Sequence, residues 1–121
     1  MTRGSFRRLD VWKRSKALAV AVYRLTGGTA FERDWALRDQ LRRCAVGVPS
    51  NVAEGAERRG DRESAQFSEI AKGSLAELAT QLEIALETGV LTDDQIAPLV
   101  TEAEELTKML AALSSKLRRS P

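Results

Sequence analysis

The sequence predicts an all-α fold, a bundle of amphipathic helices, and three observations carry that prediction. Apolar residues recur at alternating steps of three and four in segment after segment, the spacing that keeps one side of a helix against a partner. Only three Pro occur in 121 residues, so few positions interrupt a helix. The turn-forming stretches Gly27-Gly28, Arg59-Gly60-Asp61-Arg62 and Gly89 fall between those segments. The length suits one domain over residues 1–121, with residues 1–8 as an arm and 114–121 as a tail, both expected to fray.

The first helix is expected over about residues 10–26, with Asp10 as its cap and Val11, Leu18, Val22 and Leu25 on its apolar side. Gly27-Gly28 should stop it by accepting a left-handed conformation. A loop over 29–34 follows, with Phe31 plugging the end of the bundle.

The second helix, about residues 35–58 with Asp34 as cap, is the one the chain is organised around. Its seam reads Leu37, Leu41, Cys44, Val48, Asn51, Gly55, Arg58. Pro49 lies inside it, and an interior Pro costs an isolated helix about 3 kcal/mol. The heptad phase is unbroken across Pro49, so a continuous helix is expected, with a split into two as the alternative.

The connection at residues 59–62 is short, so the second and third helices should be antiparallel neighbours. The third helix, about 63–88, continues the spacing through Phe67, Ala71, Ser74, Leu78, Gln81 and Ala85, widened by Ile70, Leu75 and Leu82. The fourth opens on Thr92-Asp93-Asp94-Gln95, a capping box, and runs through Ile96, Leu99, Ala103, Leu106, Leu110, Leu113 and Leu117.

Composition excludes several classes of function. The chain has no His and one Cys, which removes the commonest general base, the commonest metal ligand and the usual structural zinc sites. It has no phosphate-binding GxxxxGK[ST] loop and no GxSxG elbow. An enzyme, a cofactor and a metal are therefore not expected. No apolar run reaches the roughly 18–20 residues that spanning a membrane requires, and residues 1–8 lack the apolar centre of an export signal. A cytoplasmic protein without a membrane partner is expected.

Antiparallel helices joined near residue 60 pair positions whose numbers sum to about 120. Gly47 then falls opposite Gly73, beside Ser74, which reads as a close helix contact. The same argument places Asn51 near Asp10 or Trp12, and Glu54 near Arg7 and Arg8 as an ion pair that pins the arm. A buried Asn must find hydrogen bonds, and it often fixes register or oligomeric state. A catalytic Asn51–Glu54 pair would lack a nucleophile.

Charge is unevenly spread. Residues 1–60 carry 13 Lys/Arg against 6 Asp/Glu, residues 61–113 carry 3 against 11, and the whole chain nets +2. A basic face on one subunit could meet an acidic face on the next, with Arg38 and Arg42 on one side and Glu83, Glu87, Glu102 and Glu105 on the other. The rival reading gives Arg38, Arg42, Arg43, Arg58, Arg59 and Arg62 to the phosphates of RNA or DNA. Of six aromatic residues most read as core, which leaves no stacking platform for bases.

Four stretches together resemble a known family: Leu9-Asp10-Val11-Trp12, Gln40-Leu41-Arg42-Arg43, Pro49-Ser50-Asn51-Val52-Ala53-Glu54-Gly55 with Arg58 beyond, and Ala71-Lys72-Gly73-Ser74-Leu75-Ala76-Glu77-Leu78 with Thr80-Gln81-Leu82. They are similar to the bacterial four-helix-bundle proteins, also called 23S rRNA intervening-sequence proteins, over about residues 6–112. The resemblance implies a left-handed, antiparallel up-down-up-down four-helix bundle, a homopentameric ring and no known enzymatic activity. Some members are encoded within inserts of ribosomal RNA genes. A distant, strongly basic relative serves retroelement reverse transcriptases and binds nucleic acid. This chain departs from it in its small excess charge and in its Asn51–Gly55 motif. An oligomeric interaction scaffold is the expected function, with a nucleic-acid-binding accessory protein as the alternative.

Overall fold

The computed structural model describes residues 5–119, and the described residues form four α-helices and two short 3-10 turns with no strand. The helices are α1 (Asp10–Leu25), α2 (Trp35–Ala56), α3 (Asp61–Glu87) and α4 (Asp93–Arg118). Each packs on the two that flank it in the order α1–α2–α3–α4 and back to α1, and among the described residues no Cα atoms of diagonal helices come within 8 Å. The α1–α4 seam is the thinnest of the four.

Local sequence sets most of the ends. Asp34 caps α2 by accepting the Leu37 amide at 3.1 Å. Thr92 and Gln95 form the expected reciprocal box at the start of α4. At the end of α3, Gly89 has φ +79°, so Val90 donates back to Ala85 and Gly89 to Leu86, which satisfies carbonyls that the helix leaves open.

Three ends differ from expectation. Leu9, not Asp10, is the N-cap of α1; Asp10 begins the helix and faces the positive end of its dipole. Gly27 and Gly28 do not adopt the left-handed conformation. Instead α1 is closed by Thr26, which is buried and donates its hydroxyl to the Val22 carbonyl at 2.7 Å. Where fraying was expected, Phe6–Arg8 form a 3-10 turn whose Phe6 ring meets Trp12 edge-on at 5.1 Å, and α4 continues past Ser114 to Arg118. Residues 1–4 and 120–121 lie outside the described residues.

The core is aliphatic. Leu41, Leu75, Leu78, Leu82, Leu106, Leu110, Val22 and Val48 are almost fully enclosed, and Phe31 closes one end as the sequence implied. Helix α2 is continuous through Pro49, which is buried. In α3 the core side is Ala65, Ser68, Ala71, Leu75, Leu78, Leu82 and Ala85, so Ile70 falls outside it. No described helix is long and apolar enough to cross a membrane.

Candidate interaction surface

Helices α2 and α3 meet through small side chains. A Cβ on Gly55 would lie 3.0 Å from the Phe67 Cβ and 3.2 Å from the Ser64 carbonyl, so the backbones approach too closely there for any side chain. Ser64 also donates its hydroxyl to the Gly55 carbonyl at 2.8 Å. A Cβ on Gly47 would meet the Ser74 hydroxyl at 3.2 Å. Gly73 is the correction: it is exposed, with nothing within 4 Å of where its Cβ would be. The height along the bundle was right, but the contact belongs to Ser74.

Two further pairings are corrected. Glu54 does not hold Arg7 or Arg8. It accepts at 2.9 Å from Arg58, four residues on and just beyond the end of α2, and Arg7 lies over the Phe6 ring at 4.6 Å. A partner four residues away needs no docking of the arm to be satisfied. Asn51 donates to the Gly47 carbonyl at 2.7 Å rather than to Asp10 or Trp12.

The basic residues singled out from sequence stand in different surroundings. Arg42 donates to Thr26 Oγ1 at 2.8 Å and to the Tyr23 carbonyl at 3.4 Å, and it stacks on the Tyr23 ring at 4.5 Å. It therefore fastens the end of α1 to α2. Arg58 pairs with Glu54, lies 3.8 Å from Glu63 and covers the Phe67 ring at 4.7 Å. Arg38 is half-buried, bonded to Asp39 and set over Trp35 at 5.4 Å. Arg43, Arg59 and Arg62 are exposed.

Among the acidic candidates, Glu83, Glu87 and Glu105 are exposed. Glu102 is not available to a neighbour. It binds Arg14 of α1 through both oxygens, at 2.9 and 2.5 Å, and Arg14 also reaches Met109. This fork ties α1 to α4, and it raises the guanidinium pKa above its ordinary value.

Cys44 is buried between α2 and α3, where it donates to Glu77 and accepts from Gln81, both at 3.4 Å. Burial pushes its thiol pKa up, so it is a poor nucleophile. On the α3–α4 seam, the Ser114 hydroxyl holds the Glu69 carboxyl below its usual range, with help from Lys72. The described residues hold no group of three or more His, Cys, Asp or Glu that could bind a metal ion.

Sequence reasoning missed the exposed apolar residues. Val20 is 41% exposed, Tyr23 46%, Trp35 62%, Val46 40%, Ile70 51% and Ile84 46%; none of the six lies on α4. Of the six aromatic residues, Tyr23 and Trp35 are the exposed ones. Four of the exposed apolar side chains, Val20, Tyr23, Val46 and Ile84, border two grooves that share α2. One, of about 500 Å³, runs between α1 and α2 over Lys16, Val20, Tyr23, Arg24, Val46 and Pro49. The other, of about 610 Å³, runs between α2 and α3 over Ala36, Leu37, Gln40, Ala76, Thr80 and Ile84. Both are shallow and mostly apolar; Glu77 and Thr80 also line the second, where the Thr80 hydroxyl donates to the Ala76 carbonyl at 2.8 Å. What they can do chemically is bury apolar surface against another macromolecule.

Comparison with known proteins agrees with the resemblance noted above. A crystal structure of a protein of unknown function from the S23 ribosomal protein family, from Bacteroides thetaiotaomicron VPI-5482, superposes with a TM-score of 0.78. The two are 19% identical over 86% of this chain and 97% of that one, so the similarity establishes the shared fold alone. No curated protein matches. The family model described as 23S rRNA-intervening sequence protein matches residues 7–112, and the chain belongs to that family.

Proposed function

We propose that this protein is a non-enzymatic cytoplasmic scaffold, a left-handed up-down-up-down bundle that works as a closed homo-oligomer. The observation that carries the reading is the set of six exposed apolar side chains on α1–α3, with none on α4. An isolated subunit would leave two apolar grooves in water, and apolar surface of that extent marks a site of association. The charge of the halves favours unlike faces meeting: Asp10 is the only acid on α1 against Lys13, Arg14, Lys16 and Arg24, whereas α3 carries six acids against Arg62 and Lys72. The number five comes from the family resemblance only.

The mass in solution at micromolar concentration, measured by light scattering, tests the reading. A multimer is expected, and Ile84→Glu should reduce it; a monomeric wild type would defeat the scaffold. The nucleic-acid reading has less support, because Arg42 and Arg58 hold other parts of the fold together. Arg43 and Arg62 remain as exposed phosphate contacts. Binding to a generic single strand that falls steeply with salt would restore that reading, since counterion release gives phosphate contacts such a slope.

A further inference from the structure

The two grooves are adjacent sides of one four-helix square, and their positions say how copies would meet. Resting on the scaffold reading, we infer that the exposed stripe of α3 in one copy seats against the α1–α2 groove of the next, with Gly73 receiving Val46.

The stripe on α3 runs Ile70, Gly73, Glu77, Thr80, Ile84, steps of three and four that keep one azimuth. All five positions are exposed or border the α2–α3 groove. From Ile70 to Ile84 is about 21 Å at the rise of an α-helix. The receiving surface has the same length: Trp35, Arg42 and Pro49 are successive heptad steps on the side of α2 that faces α1, as the Arg42–Tyr23 stack and the Pro49 lining show.

Heights then match with one uniform shift of two residues, about 3 Å along the axis. Contacts between α2 and α3 join Gly47 to Ser74 and Gln40 to Gln81, so Ile84 stands level with Leu37, Gly73 with Val48, and Ile70 with Asn51. A bundle tilted slightly against the rotation axis supplies that shift. Ile84 meets the next copy's Trp35, Ile70 meets the rim beside Pro49, and Val46 enters the gap over Gly73. That gap is the otherwise unexplained feature of α3: a helix-interior glycine, exposed, with nothing within 4 Å of its missing side chain. An interior glycine weakens a helix relative to Ala, and a close approach by a neighbour accounts for it.

Charge agrees with the seating. Exposed Lys16 and Arg24 border the receiving groove, and exposed Glu83 and Glu87 flank the stripe. Closure follows from the angle between the faces. Helices that touch only their flanking neighbours make a roughly square section, so adjacent faces diverge by about 90°, and a head-to-tail contact between them closes after about four copies, or five if the angle opens to about 108°. Opposite faces, α1–α2 against α3–α4, would instead propagate a fibre. Helix α4, with no exposed large apolar residue, stays on the solvent side.

Disulfide trapping tests the pairing in a Cys44→Ala background, which has no other cysteine. The double variant Val46→Cys, Gly73→Cys should oxidise to a ladder that ends at the ring size. A mixture of the two single variants should give dimers, and neither single variant alone should. Gly73→Cys has room in the subunit, so a folding defect is not expected. Efficient dimers from either single variant would replace this contact by a symmetric one. A multimer by light scattering without a ladder would overturn the pairing and leave the scaffold standing. A monomer would overturn both.

Discussion

Substituting Gly55 and Gly47 by Ala separates a rigid helix contact from a yielding one. Both lie inside α2, so each gains about the same helix propensity, about 1 kcal/mol over Gly. What differs is the atom that the new methyl meets. At Gly55 it lies 3.0 Å from the Phe67 Cβ and 3.2 Å from a carbonyl, atoms that move only with the α3 backbone. At Gly47 it lies 3.2 Å from the Ser74 hydroxyl, which can turn away, and the Ser74 Cβ is at an ordinary 3.7 Å. Overpacking a tight contact costs about 1–3 kcal/mol, so Gly55→Ala should be destabilised by up to about 2 kcal/mol after its propensity gain. Gly47→Ala should be neutral or more stable by up to about 1 kcal/mol. For a chain of this size 1 kcal/mol is about 4 °C in melting temperature, so Gly55→Ala should melt below Gly47→Ala by up to roughly 12 °C. Thermal and urea melts at one protein concentration measure the gap, the fixed concentration being needed because assembly shifts the midpoint. Gly55→Ala melting at or above Gly47→Ala would refute a rigid contact at Gly55.

Three other outcomes are expected. Arg42→Ala should loosen the end of α1 and residues 27–34, at about 1 kcal/mol for the lost stack and hydrogen bonds, seen as faster amide exchange confined to that end. Exchange unchanged there would show that Thr26 alone closes α1. Burial raises the Cys44 pKa in the folded chain, so the thiol's contribution is complete below its unfolded value near 9 and is lost as pH rises toward the folded one. The wild type should therefore lose stability above about pH 9 more steeply than Cys44→Ala does in parallel urea melts; equal slopes would place a titrating thiol in solvent. Removing the hydroxyl by Ser114→Ala should raise the Glu69 pKa toward its ordinary value, followed by NMR titration. The wild-type carboxylate adds stability above that ordinary value and loses it as pH falls through the depressed one. A Glu69 titration identical in both proteins would assign its depression to Lys72 instead.

Much of the architecture was legible because it is encoded locally. Asp34, the Thr92–Gln95 box, Gly89 and the leucine heptads each act within a few residues of themselves, and each performs as read. The long-range placements failed for definite reasons. Summing residue numbers fixes height along a pair of helices but not azimuth, which is why Gly73 was set against Gly47 when Ser74 faces it. Charge matching across helices overlooked partners one turn away, as with Glu54 and Arg58, and overlooked the α1–α4 seam, where Arg14 takes Glu102. Exposure was least legible. Trp35, Tyr23 and Val46 are hydrophobic by type, and only the packed structure shows that the core has no place for them. The candidate surface was therefore legible in its charge and hidden in its shape.

The tight junction between α3 and α4 sets an order of assembly in time. Five residues, 88–92, separate the two helices, and both of its ends are fixed by their own sequence, through the turn at Gly89 and the box at Thr92. Closing so short a loop loses little chain entropy, so this hairpin should form early and present one side of the core ready-made. Helix α1 is in the opposite position. It is synthesised before the others, yet α4, the partner reached by Arg14, is made last. Until the chain returns, α1 can rest only on α2, and its stripe toward α4 stays wet. The early-made helix is thus the late-docking one, and slow steps in refolding should be read at its probes, with Trp12 as the natural reporter.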